Sequence, residues 1–199
     1  CLLDLIAPPK GAPLVSGMMD IGGFVHPRLD LPPATAMVGV APEGPHGQKA
    51  PLEVTSLDYS EADPLTIVAA VCWRYTPPPD GNGTGHARYS TDGGKTWQKF
   101  PTIPAARIRD GRIAISATDP KNVVWMPRDT KTTGVWTTSD LGRTWKRSQG
   151  APTGLIWADM VFSFDKPLAS DRVRAGTFYI YDKRDGRFYR SEDGGLNFK

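Results

Sequence analysis

The chain has 199 residues, 39% of them hydrophobic and 23% charged, and its 24 basic and 21 acidic side chains leave a net charge of +3. Those proportions exclude a disordered tail, and charges scattered along the chain rather than gathered into a basic stripe argue against a nucleic-acid binder. No apolar run is long enough for a membrane-spanning helix, and 21 glycines with 19 prolines distribute turn formers along one domain's length of chain.

Residues 1–6, Cys-Leu-Leu-Asp-Leu-Ile, read as a strand. A Pro/Gly-rich turn at 7–13 follows, then Leu14-Val15-Ser16, then Met18-Met19-Asp20-Ile21-Gly22-Gly23-Phe24, with His26 and Leu29-Asp30 behind it. From about residue 55 the chain repeats one unit three times. In the middle copy 113–117 alternates as a strand, Asp119-Pro120 turns, 123–126 is a short apolar strand, 129–133 a loop and 135–138 a third strand. The first copy runs from Leu57 through an apolar stretch at 65–73 to Phe100, with a Gly-rich hairpin tip at 81–85. The third runs from Trp157 through 177–181 and 188–190 to Lys199. No segment keeps helical periodicity, so the fold class is all-β.

Each copy carries one short motif: Ser-Thr-Asp-Gly-Gly-Lys-Thr-Trp at 90–97, Thr-Ser-Asp-Leu-Gly-Arg-Thr-Trp at 138–145 and Ser-Glu-Asp-Gly-Gly-Leu-Asn-Phe at 191–198. Asp92, Asp140 and Asp193 are 48 and 53 residues apart, about the length of one four-stranded propeller blade. The aspartate can accept bonds from N–H groups of its own turn. Gly94, Gly142 or Gly195 supplies the positive φ of a tight hairpin, and Trp97, Trp145 or Phe198 then packs between sheets. A motif present once per blade cannot mark a single catalytic centre, so these residues are read as structural. The organisation expected is an incomplete β-propeller of four-stranded antiparallel blades: a leader over 1–54, then blades over about 55–105, 106–152 and 153–199. Three blades and a leader fall short of the 4–8 that close a ring, so the chain reads as a section of a larger protein.

The repeated motif is the Asp-box, and it resembles the repeats of sialidases, sortilin-type receptors and xyloglucan-cleaving glycoside hydrolases. The leader narrows this. Pro8-Pro9, Gly11-Ala12-Pro13-Leu14-Val15-Ser16, Asp20-Ile21-Gly22-Gly23-Phe24, His26 and Leu29-Asp30 resemble glycoside hydrolase family 74. The likeness continues through Ser56-Leu57-Asp58-Tyr59, Val124-Trp125-Met126-Pro127, Ser170-Asp171-Arg172-Val173 and Phe178-Tyr179-Ile180-Tyr181. The resemblance implies tandem seven-bladed propellers, with this chain in the second. It also implies inverting hydrolysis of the β-1,4-glucan backbone of xyloglucan by one aspartate from each propeller, and secretion. Asp20 matches the general acid, while Met18-Met19 departs from the smaller residues more common before it.

A general acid must hold its proton near neutral pH, which apolar neighbours such as Met18, Met19, Ile21 and Phe24 favour. Gly22 and Gly23 would let backbone approach a sugar ring. Without the resemblance, Asp20 before Gly-Gly reads first as an ordinary Asx-turn. Substrate contacts are expected from Gly22, Gly23, Phe24 and Trp157, whereas Trp73 and Trp125 end apolar strands and read as core. The general base is expected in the other propeller, its partner in the same polypeptide. Asp30, Asp58, Asp159 and Asp171 are read as turn or loop residues. Cys72 reads as a buried free thiol, and the three histidines lack zinc-ligand spacing, so neither metal nor cofactor is expected. The competing reading is a non-catalytic Asp-box propeller that binds a protein or a glycan. It has no need for the 20–24 motif. A sialidase is a third, without the arginine cluster it would require.

Overall fold

The computed structural model describes residues 1–19, 21–33, 52–73, 87–105, 108, 110–128, 133–155 and 166–199. Regular structure among them is almost entirely β-strand. The first three strands, β1 (Leu2–Ile6), β2 (Leu14–Met18) and β3 (Gly22–His26), form an antiparallel leaf. The second leaf is β4 (Leu52–Tyr59), β5 (Ile67–Trp73), β6 (Arg88–Ser90) and β7 (Gln98–Lys99). The third is β8 (Arg112–Ile115), β9 (Val123–Met126), β10 (Trp136–Thr138) and β11 (Lys146–Arg147). The fourth is β12 (Leu168–Ser170), β13 (Phe178–Asp182) and β14 (Arg187–Ser191). The first two leaves are joined at one parallel pair, Gly22 with Glu53. The inner strands pack in succession, β1 on β4, β4 on β8 and β8 on β12. This is the arrangement of propeller blades following one another around an axis. The stretch before the first box is thus itself folded as a three-stranded leaf.

Alternation along single strands explains why the leaves stack. A strand buried on both faces reads as a continuous apolar run, and its odd and even positions serve different neighbours. In β5, Ile67, Ala69 and Val71 enter the core between the first and second leaves, with Val15, Val54 and Leu57. Val68 and Ala70 face the other way, into the core with Ile113, Ile115, Val123 and Trp125. In β9, Val123 and Trp125 belong to that second core, while Val124 and Met126 join Leu168, Phe178 and Ile180 in a third. A one-residue slip would send every side chain to the wrong neighbour.

The boxes complete each interface. The first and second fall in the hairpin between third and fourth strands. The third follows β14, and Lys199 then exchanges both backbone bonds with Arg190 at 2.9 Å. Trp97 packs on the first core, Trp145 on the second, and Phe198 lies in the third. Trp145 meets Phe100 edge-on at 5.5 Å and Trp125 at 6.0 Å. Such aromatic contacts add to simple area burial.

Candidate active site

Each third strand starts at one end of its leaf and runs towards the other. Gly22, Arg88, Trp136 and Arg187 mark the starting end, and the boxes lie at the finishing end. The hairpin tip at 19–21, between β2 and β3, therefore sits at the opposite end of the leaves from the Asp-boxes.

That tip is anchored on both sides. Met18 pairs with Gly22, so three residues make the loop. The Met19 N–H donates to the Cys1 carbonyl at 2.8 Å, and Gly22 pairs with Glu53 at the start of β4. Gly22 has φ 86°, a left-handed conformation that a side chain would strain. Gly22 and Gly23 are both buried. Phe24 is half-buried, with its ring 6.1 Å from that of His26, and His26 Nε2 lies 3.0 Å from the Ser16 hydroxyl. Met18 and Met19 are half-buried, Met19 against the third core, while Ile21 is 52% exposed. Asp20 itself, and Trp157 and Asp159, lie outside the described residues, as do the 81–85 segment and the side chains of Cys72 and Trp73.

Sequence reasoning passed over Glu53. This carboxylate is only 6% exposed and stands in register with Gly22, two residues from Asp20. Its one signal was a charge inside the apolar run Leu52-Glu53-Val54. At the same end of the third and fourth leaves stand two further buried acids. Arg128 makes a bidentate pair with Asp110, and Arg184 makes one with Asp182 while also donating to the Thr153 carbonyl at 2.7 Å. The hydrogen-bonded Arg184 holds the Asp182 carboxyl below its usual range, against the opposing effect of burial.

The box aspartates are occupied in one way three times. Asp92 Oδ1 accepts from the Ser90 hydroxyl at 2.7 Å and the Thr96 N–H at 2.9 Å, and Oδ2 accepts from the Thr96 hydroxyl at 2.6 Å. Asp140 repeats this with Thr138 and Thr144, and Asp193 with Ser191 and Asn197. Donors from Thr144 and Thr138 bring the Asp140 carboxyl down to about 2. For Asp92 and Asp193 burial pushes upward, and the Thr96 and Asn197 donors outweigh it to leave both lowered. A carboxylate this well satisfied, with its pKa lowered, is a poor proton donor.

The remaining aspartates divide. Asp30 pairs with Arg28 in an exposed loop, and Asp171 accepts the N–H groups of Val173 and Arg174 in a turn. Asp58 departs from the turn reading. It sits in β4, buried, accepting the Ile115 N–H at 2.9 Å, the Tyr59 N–H at 2.9 Å and Arg172 at 3.1 Å, so it ties the second leaf to the third and fourth. Burial pushes its carboxyl up, against the pull of Arg172. Trp125 is fully buried and donates to the Asp110 carbonyl at 2.7 Å, in keeping with core packing.

A cavity of about 410 Å³ opens between the third and fourth leaves, lined by Asn122, Thr137, Ser139, Lys146 and Asp193 among others. It lies at the box end, away from the hairpin tip. Its floor is already satisfied, since Asn122 donates to the Thr138 and Gly194 carbonyls at 3.0 Å each.

Among known proteins, the BNR/Asp-box repeat family matches residues 88–99. A xyloglucanase from Paenibacillus sp is 34% identical over 197 residues, covering 99% of this chain and 16% of that protein. One from Acetivibrio thermocellus is 32% identical over 199 residues, covering 99% of this chain and 20% of that one. The solved structure of the glycoside hydrolase family 74 xyloglucanase from Xanthomonas campestris superposes with a TM-score of 0.74 at 33% identity, covering all of this chain and 24% of the other. The family 74 enzyme of Niastella koreensis gives a TM-score of 0.72 at 22% identity, a likeness of fold, over 100% of this chain and 23% of that one. The chain spans less than a quarter of the length of these proteins.

Proposed function

We propose that this chain, related along its whole length to the glycoside hydrolase family 74 xyloglucanases, is part of a secreted enzyme that hydrolyses the β-1,4-glucan backbone of xyloglucan with inversion. In this reading Asp20 is the general acid. The observation that carries it is the 34% identity to a xyloglucanase across 99% of the chain, together with the Asp-Ile-Gly-Gly-Phe sequence at 20–24.

The chemistry assigns each part a task. Inversion needs one carboxylic acid to protonate the leaving oxygen and a second carboxylate roughly 6.5–9.5 Å away to activate water. Asp20 supplies the first, and the residues beside it are held in place, Met19 by the Cys1 carbonyl and Gly22 by pairing with Glu53. The second comes from another part of the same polypeptide, which closes the other wall of the cleft. Gly22 and Gly23 admit the sugar close to the backbone. Phe24 and Trp157 offer aromatic faces to the apolar C–H surfaces of the rings.

The test uses the full-length enzyme with Asp20→Ala and two substrates. Xyloglucan has a poor leaving group and depends on protonation, so its turnover should fall by ~10²–10⁴-fold. An activated aryl glycoside needs little protonation and should be cleaved by the variant far better than the polysaccharide is. Equal losses on both substrates, or full activity on xyloglucan, would remove Asp20 from the role of acid.

A further inference from the structure

Arg88 opens β6 and is only 9% exposed, yet no described residue gives it an ion pair or a hydrogen bond, and its Nε is sealed from solvent without a partner. Its row in the sheet fixes where it faces. Arg88 stands opposite Ala69 on β5, and Ala69 stands opposite Leu57 on β4. Ala69 and Leu57 belong to the core shared with Val15 and Val25 of the first leaf. The guanidinium therefore enters the seam between the first and second leaves. On its other side the same row continues to Lys99 of β7, directly opposite Arg88. A buried and an exposed cation thus stand directly opposite each other on a pair of strands, an arrangement that destabilises a sheet.

Elsewhere in this protein even arginines that keep contact with solvent stand against a buried carboxylate. Arg128 has Asp110, Arg184 has Asp182 and Arg172 has Asp58. Lysine or histidine could shed a proton on burial, but a guanidinium cannot, so its charge has to be balanced in place. Burial does push the Arg88 guanidinium down from its usual value, and desolvation is the cause.

We propose that the seam between the first two leaves binds a small monovalent anion, a halide or a formate-sized carboxylate, between Arg88 and Lys99. The anion would accept from the guanidinium and neutralise the charge that the fold encloses there. It would lock the leaf that carries the 20–24 hairpin to the leaf beside it. The site is separate from the cleavage chemistry and does not depend on the assignment of Asp20.

The full-length protein tests this by thermal unfolding in chloride, bromide, formate and the bulky gluconate at matched ionic strength. Small anions should raise the melting temperature above its value in gluconate along a saturating curve. Arg88→Met should abolish that dependence and Lys99→Met should weaken it. In gluconate, Arg88→Met should melt no lower than the parent, because it removes an uncompensated buried charge. Identical melting of the parent in bromide and gluconate would overturn the proposal, as would an anion dependence that survives Arg88→Met. Should that variant fail to fold, bromide-soaked crystals of the parent decide. Anomalous density beside the guanidinium supports the site, and a carboxylate of the protein's own chain in that position refutes it.

Discussion

The two ends of the leaves obey different rules. At the box end, three turns at 90–97, 138–145 and 191–198 repeat the same bonds to within about 0.1 Å for the shared aspartate contacts. At the opposite end the described residues share no such repeated turn. One has a three-residue hairpin with Gly22 at φ 86°, another the Asp110–Arg128 pair, another the Asp182–Arg184 pair. Repetition is what a stacking device needs, since every blade must meet its neighbour in the same way. A site that binds one ligand needs convergent, unlike groups, and the proposed acid accordingly sits at the irregular end.

The sharpest way to break this division is to move the effects across it. Asp20→Ala in the full-length enzyme should lower xyloglucan turnover by the two to four orders of magnitude given above while barely changing the melting temperature. Box substitutions should do the reverse. A box variant as stable as the parent but inactive would defeat the comparison.

Next in size are the groups that join leaves. Gly142 has φ 79°, and a Cβ there would run into the Phe100 ring of the preceding leaf. Gly195 has φ 88° and would meet Val124 in the same way. Each glycine is thus required twice, by its turn and by the next leaf. Gly142→Val should cost about 2–4 kcal/mol from strain and overpacking, read by denaturant unfolding. Asp58→Ala should cost about 1–3 kcal/mol, because it leaves the buried Ile115 N–H without its acceptor, while Arg172 keeps Glu61 and the Tyr59 carbonyl. Activity per folded molecule should be unchanged in both. Asp92→Ala removes three acceptor contacts from a surface turn and should cost on the order of 1 kcal/mol.

Legibility in the sequence followed the same division. A box is local: Ser90, Asp92, Gly94 and Thr96 bond one another within four residues, so spacing alone exposed the turn, its glycine and the blade length. The apolar runs of β5 and β9 were also readable, because strands buried on both faces have no polar positions to hide them. Asp58 was misread because its partner Arg172 is 114 residues away and Ile115 is 57 away. The first leaf read as a leader because it has no box, although its strands pair as the others do. Glu53 and Arg88 carried only the weak signal of a charge beside apolar residues. Their burial comes from packing between leaves, which no local pattern encodes.

The smallest effect separates the two ends by pH. Asp140 titrates at about 2 in the folded protein, below its ordinary 3.8, because Thr144 and Thr138 donate to the ionised form. A carboxyl with a depressed folded pKa contributes stability that is complete above the unfolded value and is lost as pH falls through the folded one. The difference in melting temperature between parent and Asp140→Asn should therefore hold steady from pH 7 to about 4 and shrink from there towards pH 2. The change is small, because the group lies near the surface and solvent screens it. A difference that stays constant down to pH 2 would mean that the charge of Asp140 does nothing for the turn. Turnover should follow a bell, falling on the alkaline side as the general acid loses its proton and on the acid side as the general base gains one. Asp140→Asn should leave both limbs of that bell where the parent has them, and a shifted limb would mean that the two ends are not independent.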